Sequence, residues 1–304
     1  MRCWPRASRM WYGKKPDMNT QTHKQFLRKP QWLKVPPPYA RQSHGIRTTL
    51  AGLQLHTVCQ EAACPNIAEC FESGTATFLI MGNICTRNCL YCNVAHSKPK
   101  PVDTQEIEHL VNAVQTMELS YTVITSVTRD DLPDGGAKYF ADCITRLRKH
   151  MPQIKIEVLL PDFRGNLAAL EKIIKAGPNV INHNMEVAQP LFRQLRPQGN
   201  YELSLDLLRF VSQTSIVSKS GFMVGLGETR DDILRLMDDL ISASCLRLTI
   251  GQYQQPTLNH WPVKKYYRPD EFAEFKEIAY QKGFQHVESG PLVRSSYHAA
   301  QTHR

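Results

Sequence analysis

The sequence contains no apolar run long enough to cross a bilayer, which takes roughly 20 residues, so nothing in it reads as a membrane span. Acids are scarce near its start. Residues 1–25 carry Arg2, Arg6, Arg9, Lys14 and Lys15 against a single acid, Asp17. They also hold little serine and no sustained periodicity. A basic, acid-poor stretch suits an organellar leader, and an overlong gene start with initiation at Met18 suits it equally. Along the whole chain 28 Asp+Glu stand against 37 Lys+Arg, a net charge of +9. That balance favours an acidic partner, whether nucleic acid, an anionic surface or an acidic protein. The cysteines lack the spread and the signal peptide of a secreted disulfide scaffold. Of nine, six fall between positions 59 and 92, in two tight triads, which argues for metal in a reducing compartment. Cys143 and Cys245 sit in apolar helical contexts and read as ordinary buried residues.

What is present is enough for one large domain: 304 residues, 42% of them hydrophobic. The densest signal is Cys85-Thr-Arg-Asn-Cys89-Leu-Tyr-Cys92. Thiolate is a soft ligand that favours zinc, copper(I) or iron–sulfur clusters. Cys89 and Cys92 alone would suit a zinc knuckle or a redox motif. Adding Cys85 gives three thiolates, which can hold three irons of a cubane and leave the fourth open to a reactive ligand. Most structural clusters use four cysteines. Zinc with a distant fourth ligand is the alternative. The first triad, Cys59, Cys64 and Cys70, has steps of five and six residues that do not suit a zinc finger. Six thiolates overfill one small centre, so two separate clusters fit better, the first needing a fourth ligand from elsewhere.

The segment from Lys29-Pro30 to Pro36-Pro-Pro38 reads as an extended arm, since consecutive prolines exclude helix, and Trp32 and Leu33 give it something to bury. From 75 onward strands alternate with helix-period segments. Strands are expected at 75–81, 121–127, 154–160, 179–182, 221–226 and 246–250, and helices at 103–118, 138–150, 167–176, 201–212, 231–243 and 270–282. Asp103 is expected to cap the first helix, with Glu106 completing a capping box. Alternation implies a parallel sheet with right-handed crossovers. The strands look apolar on both faces, as helices on the outside require. Six units suggest an open, partial (β/α)6 TIM-type barrel, with a doubly wound sheet as the alternative. Either way the ligand site lies at the C-terminal strand ends, where the Cys85 loop follows the first strand. The expected division is a basic leader (1–28), an arm and auxiliary segment (29–74), the barrel (75–285) and a C-terminal segment (286–304).

Over roughly 28–299 the chain resembles the lipoyl synthase family of the radical S-adenosylmethionine (SAM) superfamily. The resemblance rests on Lys29-Pro-Gln-Trp-Leu-Lys34, Glu61-Ala-Ala-Cys-Pro-Asn-Ile-Ala-Glu-Cys-Phe71 and Thr75-Ala-Thr-Phe-Leu-Ile-Met-Gly82 with the cysteine loop. It continues through Thr125-Ser-Val-Thr-Arg-Asp-Asp-Leu-Pro-Asp-Gly-Gly136, Pro161-Asp-Phe-Arg-Gly165, Asn182-His-Asn-Met-Glu186, Gly251-Gln-Tyr253 and Arg294-Ser-Ser-Tyr-His298.

The resemblance implies two [4Fe–4S] clusters and SAM. The cluster on Cys85, Cys89 and Cys92 would cleave SAM to a 5′-deoxyadenosyl radical. That radical would remove hydrogen from a protein-bound octanoyl chain, at C6 and at C8. The auxiliary cluster on Cys59, Cys64 and Cys70 would donate both sulfur atoms, with Ser296 as its fourth ligand. An alkyl C–H bond offers no acidity to a side-chain base, so a cofactor radical is needed, and no Ser-His-Asp arrangement is sought. His183 reads as a structural histidine. Ser295 and Ser296 otherwise read as turn residues. SAM contacts are expected from Tyr91, Thr125, Ser126, Asp130, Glu157 and Glu186. Glu157 is alternatively an outward acid on an edge, and Arg129 and Arg294 either hold carboxylates or pair with Asp130 or Glu288. Implied partners are octanoylated lipoyl-carrier domains (2-oxoacid dehydrogenase E2 subunits and the glycine cleavage H protein), an electron donor such as ferredoxin or flavodoxin, and an iron–sulfur carrier. No nucleic acid and no membrane is expected, and the setting is cytoplasmic with an organelle left open by the leader. The rivals are another sulfur-inserting radical SAM enzyme and a non-catalytic zinc nucleic-acid-binding module.

Overall fold

The computed structural model describes residues 27–34, 56–57, 66, 69–70 and 75–300. The strands are β1 (His56–Thr57), β2 (Thr75–Ile80), β3 (Ile84–Cys85), β4 (Ala95–His96), β5 (Tyr121–Ser126), β6 (Lys155–Leu159), β7 (Val180–Asn182), β8 (Val217–Val224), β9 (Arg247–Gln252) and β10 (His286–Gly290). The helices are α1 (Glu106–Thr116), α2 (Ala137–His150), α3 (Leu167–Ala176), α4 (Gln189–Leu195), α5 (Tyr201–Ser212), α6 (Arg230–Ser242) and α7 (Pro269–Lys282). None is long and apolar enough to cross a membrane among the described residues.

One sheet runs in the order β1-β2-β5-β6-β7-β8-β9-β10. From β2 to β10 every neighbour is parallel, and β1 alone pairs antiparallel, at the β2 edge. Strict sequential order has no reversal point, so the doubly wound alternative does not hold. The fold is a partial barrel of six βα units with β10 as a further parallel strand. That strand was not expected, and it carries the sheet past 285 to Gly290.

The helix-facing sides carry Phe78, Ile80, Ile124, Ile156, Val158 and Ile181 into one apolar cluster, and Phe222, Val224, Leu248, Ile250 and Val287 into another. The opposite faces mix apolar residues such as Leu79 and Val123 with buried polar ones such as Thr77, Glu157, Asn182, Lys219 and Thr249, which corrects the expectation of strands apolar on both sides. Glu157 (β6) lies at 0% exposure, bonded to Lys219 Nζ (β8) at 2.9 Å, Tyr121 Oη (β5) at 2.8 Å and Asn182 Nδ2 (β7) at 3.1 Å. The contact from β6 to β8 passes over β7, on the sheet face that also carries Tyr121 and Asn182. Glu157 therefore faces inward and is no edge acid. Buried ions persist only when paired and hydrogen-bonded, as this one is.

The residues after β10 turn back into the barrel. Gly251 permits this, because a Cβ there would sit 2.4 Å from the Val293 carbonyl oxygen. Ala299 packs on Tyr121 and Val123 of β5, and Thr77 Oγ1 of β2 donates to Ser296 Oγ at 2.8 Å. The arm docks on the loop between β9 and α7. Leu33 is buried, Trp32 Nε1 donates to Tyr267 O at 3.2 Å and Lys29 Nζ to Gln254 Oε1 at 3.0 Å, although Trp32 stays 39% exposed. The expected capping box on α1 is absent. Asp103 accepts from Gln105 N, and Glu106 turns away to the end of β2.

Candidate functional site

Beyond β2 the chain turns through two left-handed residues, Met81 (φ 64°) and Gly82 (φ 82°). A side-chain-bearing residue there costs roughly 1–2 kcal/mol. Met81 is held on both sides: its N–H donates to Glu106 Oε2 at 2.8 Å, and its carbonyl accepts from Arg129 Nη1 at 3.1 Å. This bend aims the next residues across the C-terminal strand ends, where Cys85, Cys89 and Cys92 follow.

The cysteine loop is tied to three neighbouring segments. Thr86 N donates to Thr128 O (3.0 Å), Leu90 N to Leu195 O (2.9 Å), and Trp261 N to Leu90 O (2.9 Å), while His260 Nε2 meets Cys92 O at 3.0 Å. At its centre Arg87 grips two carboxylates, Asp130 at 2.8 and 3.0 Å and Asp162 at 2.7 and 2.6 Å. All three side chains are at most 8% exposed. Burial works against the Asp162 charge, but Arg87 outweighs it and brings the carboxyl down to about 2.

The three thiols are unpaired, partly buried and close enough to feel one another's charge. Burial pushes Cys92 up to about 12 and raises Cys89, where Arg196 opposes it. Three thiolates crowded in such a place need cationic compensation, which iron supplies. Among the described residues no three His, Cys, Asp or Glu side chains are placed to hold a single metal ion.

The expected SAM residues surround this loop unevenly. Tyr91 and Glu186 lie half-buried beside Arg196; desolvation raises both, and Arg196 opposes both shifts. Glu186 adopts φ 69° and accepts from Asn184 Nδ2 at 3.1 Å. Ser126, at the end of β5, has a buried hydroxyl with no partner. Thr125 Oγ1 donates to Leu159 O at 3.0 Å. Asp130 is occupied by Arg87, and Arg164 approaches it at 3.3 Å. Glu157 lies deeper, in the network already described. Arg129 pairs with Asp131 at 2.8 Å and not with Asp130 or Glu288. Arg294 Nη1 donates to the Val293 carbonyl at 2.8 Å.

The sequence reading missed Arg196. It is buried, donates Nη1 to the Asn184 and Met185 carbonyls at 3.1 Å each, and leaves its buried Nε without a partner. Asn182 Oδ1, His183 Nε2 and Asn184 Oδ1 are likewise buried and unpartnered. Unsatisfied buried polar atoms are rare, and a group of them at the strand ends is hydrogen-bonding capacity that the described protein atoms leave unused. The nearest signal in the sequence was Asn182-His-Asn-Met-Glu186. His183 Nδ1 lies 2.8 Å from Leu160 O, and burial, with Arg196 nearby, lowers the ring to about 4. The neutral ring is structural through Nδ1, as expected, while Nε2 remains available.

Of the first triad, Cys59 and Cys64 lie outside the described residues. Cys70 is described, and it sits close to Tyr297. Asn66 Nδ2 donates to Leu292 O at 2.8 Å, so the segments around 66–70 and 292–298 meet. Ser296 lies in that meeting, bonded to Thr77.

Residues 79–240 match the Radical SAM superfamily, and residues 7–64 match the N-terminal domain of lipoyl synthase of that family. Lipoyl synthase of Nitrosospira multiformis is 50% identical over 284 residues, covering 92% of this chain and 90% of the relative. That of Caldicellulosiruptor bescii is 49% identical over 279 residues, covering 91% and 96%. The chain belongs to the lipoyl synthase family. It is a radical SAM, sulfur-inserting enzyme that uses SAM and [4Fe–4S] clusters and acts on lipoyl-carrier proteins. Solved structures agree on the fold. Streptococcus suis SuiB bound to S-adenosylmethionine superposes with TM-score 0.54 at 12% identity, over 73% of this chain and 53% of that one. Coproporphyrinogen III oxidase from Escherichia coli gives 0.52 at 13%, over 69% and 53%.

Proposed function

We propose that the two cysteine triads hold two clusters with separate duties, both opening on the barrel interior. Cys85, Cys89 and Cys92 carry the cluster that binds SAM. Cys59, Cys64 and Cys70, with Ser296, carry the auxiliary cluster. The observation that supports this most is the return of the C-terminal turn into the barrel, which brings Ser296 to Thr77 and Cys70 to Tyr297. Thr77 and Ile80 are three residues apart on β2, about 10 Å, so the two centres share one strand's length.

Bound there, the clusters and SAM supply radical hydrogen abstraction and the sulfide inserted at C6 and C8 of an octanoyl chain. The chain's own residues hold and orient. Ser126, Glu186, Tyr91 and the additional Arg196 are placed to meet the polar parts of SAM; the Arg196 guanidinium suits a carboxylate. Thr125, Asp130 and Glu157 stand behind them, fixing strand ends, the cysteine loop and the barrel interior. Oxygen is a harder, poorer partner for this iron than thiolate, so Ser296 is the ligand that releases first.

The carrier we favour is an octanoylated E2 lipoyl domain or glycine cleavage H protein. Such carriers are typically acidic, and the +9 charge supports docking. A ferredoxin or flavodoxin would deliver electrons, and an iron–sulfur carrier would rebuild the spent cluster. The thiol-rich sites support a reducing, cytoplasmic setting. The test is anaerobic reconstitution followed by turnover on an octanoyl-lysyl carrier. We expect brown protein with about eight irons from two cubanes, and lipoyl product by mass spectrometry. Colourless protein holding zinc and binding bulk RNA would overturn the reading. Turnover limited by carrier binding should weaken as salt rises.

A further inference from the structure

The net charge is not spread evenly along the chain. Residues 1–102 hold 14 Lys+Arg against four acids, Asp17, Glu61, Glu69 and Glu72, whereas residues 103–304 hold 23 against 24. The whole excess therefore lies in the leader, the arm and the stretch through the cysteine loop. The loop between β9 and α7, residues 253–268, has no acid either. In the structure this loop gathers the arm and the cysteine loop. Tyr266 Oη donates to Leu27 O at 3.3 Å and Trp32 Nε1 to Tyr267 O on the arm side. On the other side Trp261 N donates to Leu90 O at 2.9 Å, and His260 Nε2 lies 3.0 Å from Cys92 O. The exposed large apolar side chains follow the same path. Among the described residues they are Leu27, Trp32, Leu90, Leu258, Leu167 and Tyr280, and the first four stand on these three segments. Beside them Arg28, Lys34 and Lys264 are exposed and form no ion pair with a described residue, while Lys265 and Arg268 are matched by Glu271 and Asp270. A single exposed leucine carries no meaning. Four large apolar side chains with unmatched cations, on segments bonded to one another, have the make-up of a protein interface.

We propose that this surface docks the protein that reduces the SAM cluster, a small, acidic one-electron donor. This rests on the assignment of Cys85, Cys89 and Cys92 as ligands of that cluster. Leu90 lies between two of those thiols. Its main chain is fixed by Leu195 and Trp261, and its side chain is exposed. A partner seated on Leu90 and Leu258 therefore touches the cysteine loop itself, so an electron has only that loop to cross. In the step served here the donor loses one electron and the cluster gains it; no bond forms or breaks. Electron-transfer contacts are small and transient, and charge complementarity sets their rate of encounter more than their affinity. A lipoyl carrier has a different demand. It must pass an octanoyl-lysyl arm to the barrel interior, where the turn bearing Ser296 packs on β2 and β5. The patch stands instead on the arm, the β9–α7 loop and the exposed side of the cysteine loop.

The test uses the full-length reconstituted enzyme with two reductants: an acidic flavodoxin in its hydroquinone form, and dithionite, which needs no docking surface. Leu258→Glu and the double reversal Lys34→Glu with Lys264→Glu are compared with the parent and with Leu167→Glu, a control at the start of α3. Stopped-flow bleaching of the cluster absorbance gives the rate of reduction, and calorimetry gives the binding of flavodoxin and of octanoylated carrier. We expect the second-order rate of reduction by flavodoxin to fall about tenfold in both variants, with a weaker salt dependence in the double reversal. Flavodoxin binding should weaken in step. Reduction by dithionite, carrier binding and the control should stay at parent values. Parent-like reduction by flavodoxin in both variants would overturn the surface. Weakened carrier binding with unchanged reduction by flavodoxin would also overturn it and give the patch to the carrier. Equal slowing with both reductants would overturn it as well, since the loop and not the docking would be at fault. A parent that cleaves no SAM even with dithionite would defeat the cluster assignment first, and the surface with it.

Discussion

The loop of Cys85, Cys89 and Cys92 and the junction of Cys70 with Ser296 are built in contrasting ways. The first is locked by main-chain bonds to three segments and by Arg87, buried between Asp130 and Asp162. Among the described residues the second is joined across its two segments by side-chain bonds, one of them on a carboxylate 55% exposed. Buried networks rigidify, while surface contacts open cheaply. The difference matches the two duties proposed for these residues. A site reused in every turnover benefits from a fixed frame. A site that gives up its sulfur and must be refilled benefits from a frame that opens.

The contrast can be broken at its rigid side first. Cys85→Ala should abolish SAM cleavage completely and leave the auxiliary cluster in place, seen as about half the iron retained. Loss of all iron would mean that the two sites are not independent. Arg87→Ala strands two buried carboxylates and should destabilise the fold by about 3–5 kcal/mol in denaturant titration. A change below about 1 kcal/mol would show that the loop does not depend on the pair.

His183 gives the same side a pH signature. Its ring takes a proton near 6.5 when unfolded and only at about 4 when folded. The unfolded state therefore binds more protons between those values. Stability is full above pH 6.5, falls as pH drops towards 4, and is flat in this respect below that. The loss should approach about 3 kcal/mol, and His183→Gln should remove most of the slope in pH-dependent unfolding. At the looser side, Ser296→Cys should hold its cluster through turnover and slow sulfur transfer several-fold. Unimpaired multiple turnover and sulfur release would discard the weak-ligand idea. The smallest effect should come from Trp32→Phe, which loses the bond to Tyr267 O and should cost about 1 kcal/mol in thermal unfolding.

Much of this was legible in the sequence, for identifiable reasons. Helices at 167–176 and 201–212 fall where the 3.6-residue period puts them, because Asn166 and Asn200 cap them and Gly177 ends the first. The cysteine loop was placed at the C-terminal strand ends because it follows the first strand, independently of the spacing of its thiols. β8 begins four residues earlier than expected, since Val217-Ser-Lys-Ser-Gly221 alternates towards a polar interior and does not read as a buried strand. His286-Val-Glu-Ser-Gly290 was missed on the same ground, having one apolar residue facing the helices. The partners of Arg87 sit 43 and 75 residues away, beyond any local pattern. Arg196 precedes a proline after a short helix and looks like a solvent residue until the fold buries it.

The account stands or falls on unequal fates for two clusters in one barrel. Iron and acid-labile sulfide per chain, counted anaerobically before and after a single turnover on octanoylated carrier, test this most directly. The predicted result is a fall from about eight irons to about four, with SAM cleavage retained by the spent protein. An unchanged iron count alongside full product, or equal loss from both sites with SAM cleavage gone, would contradict it.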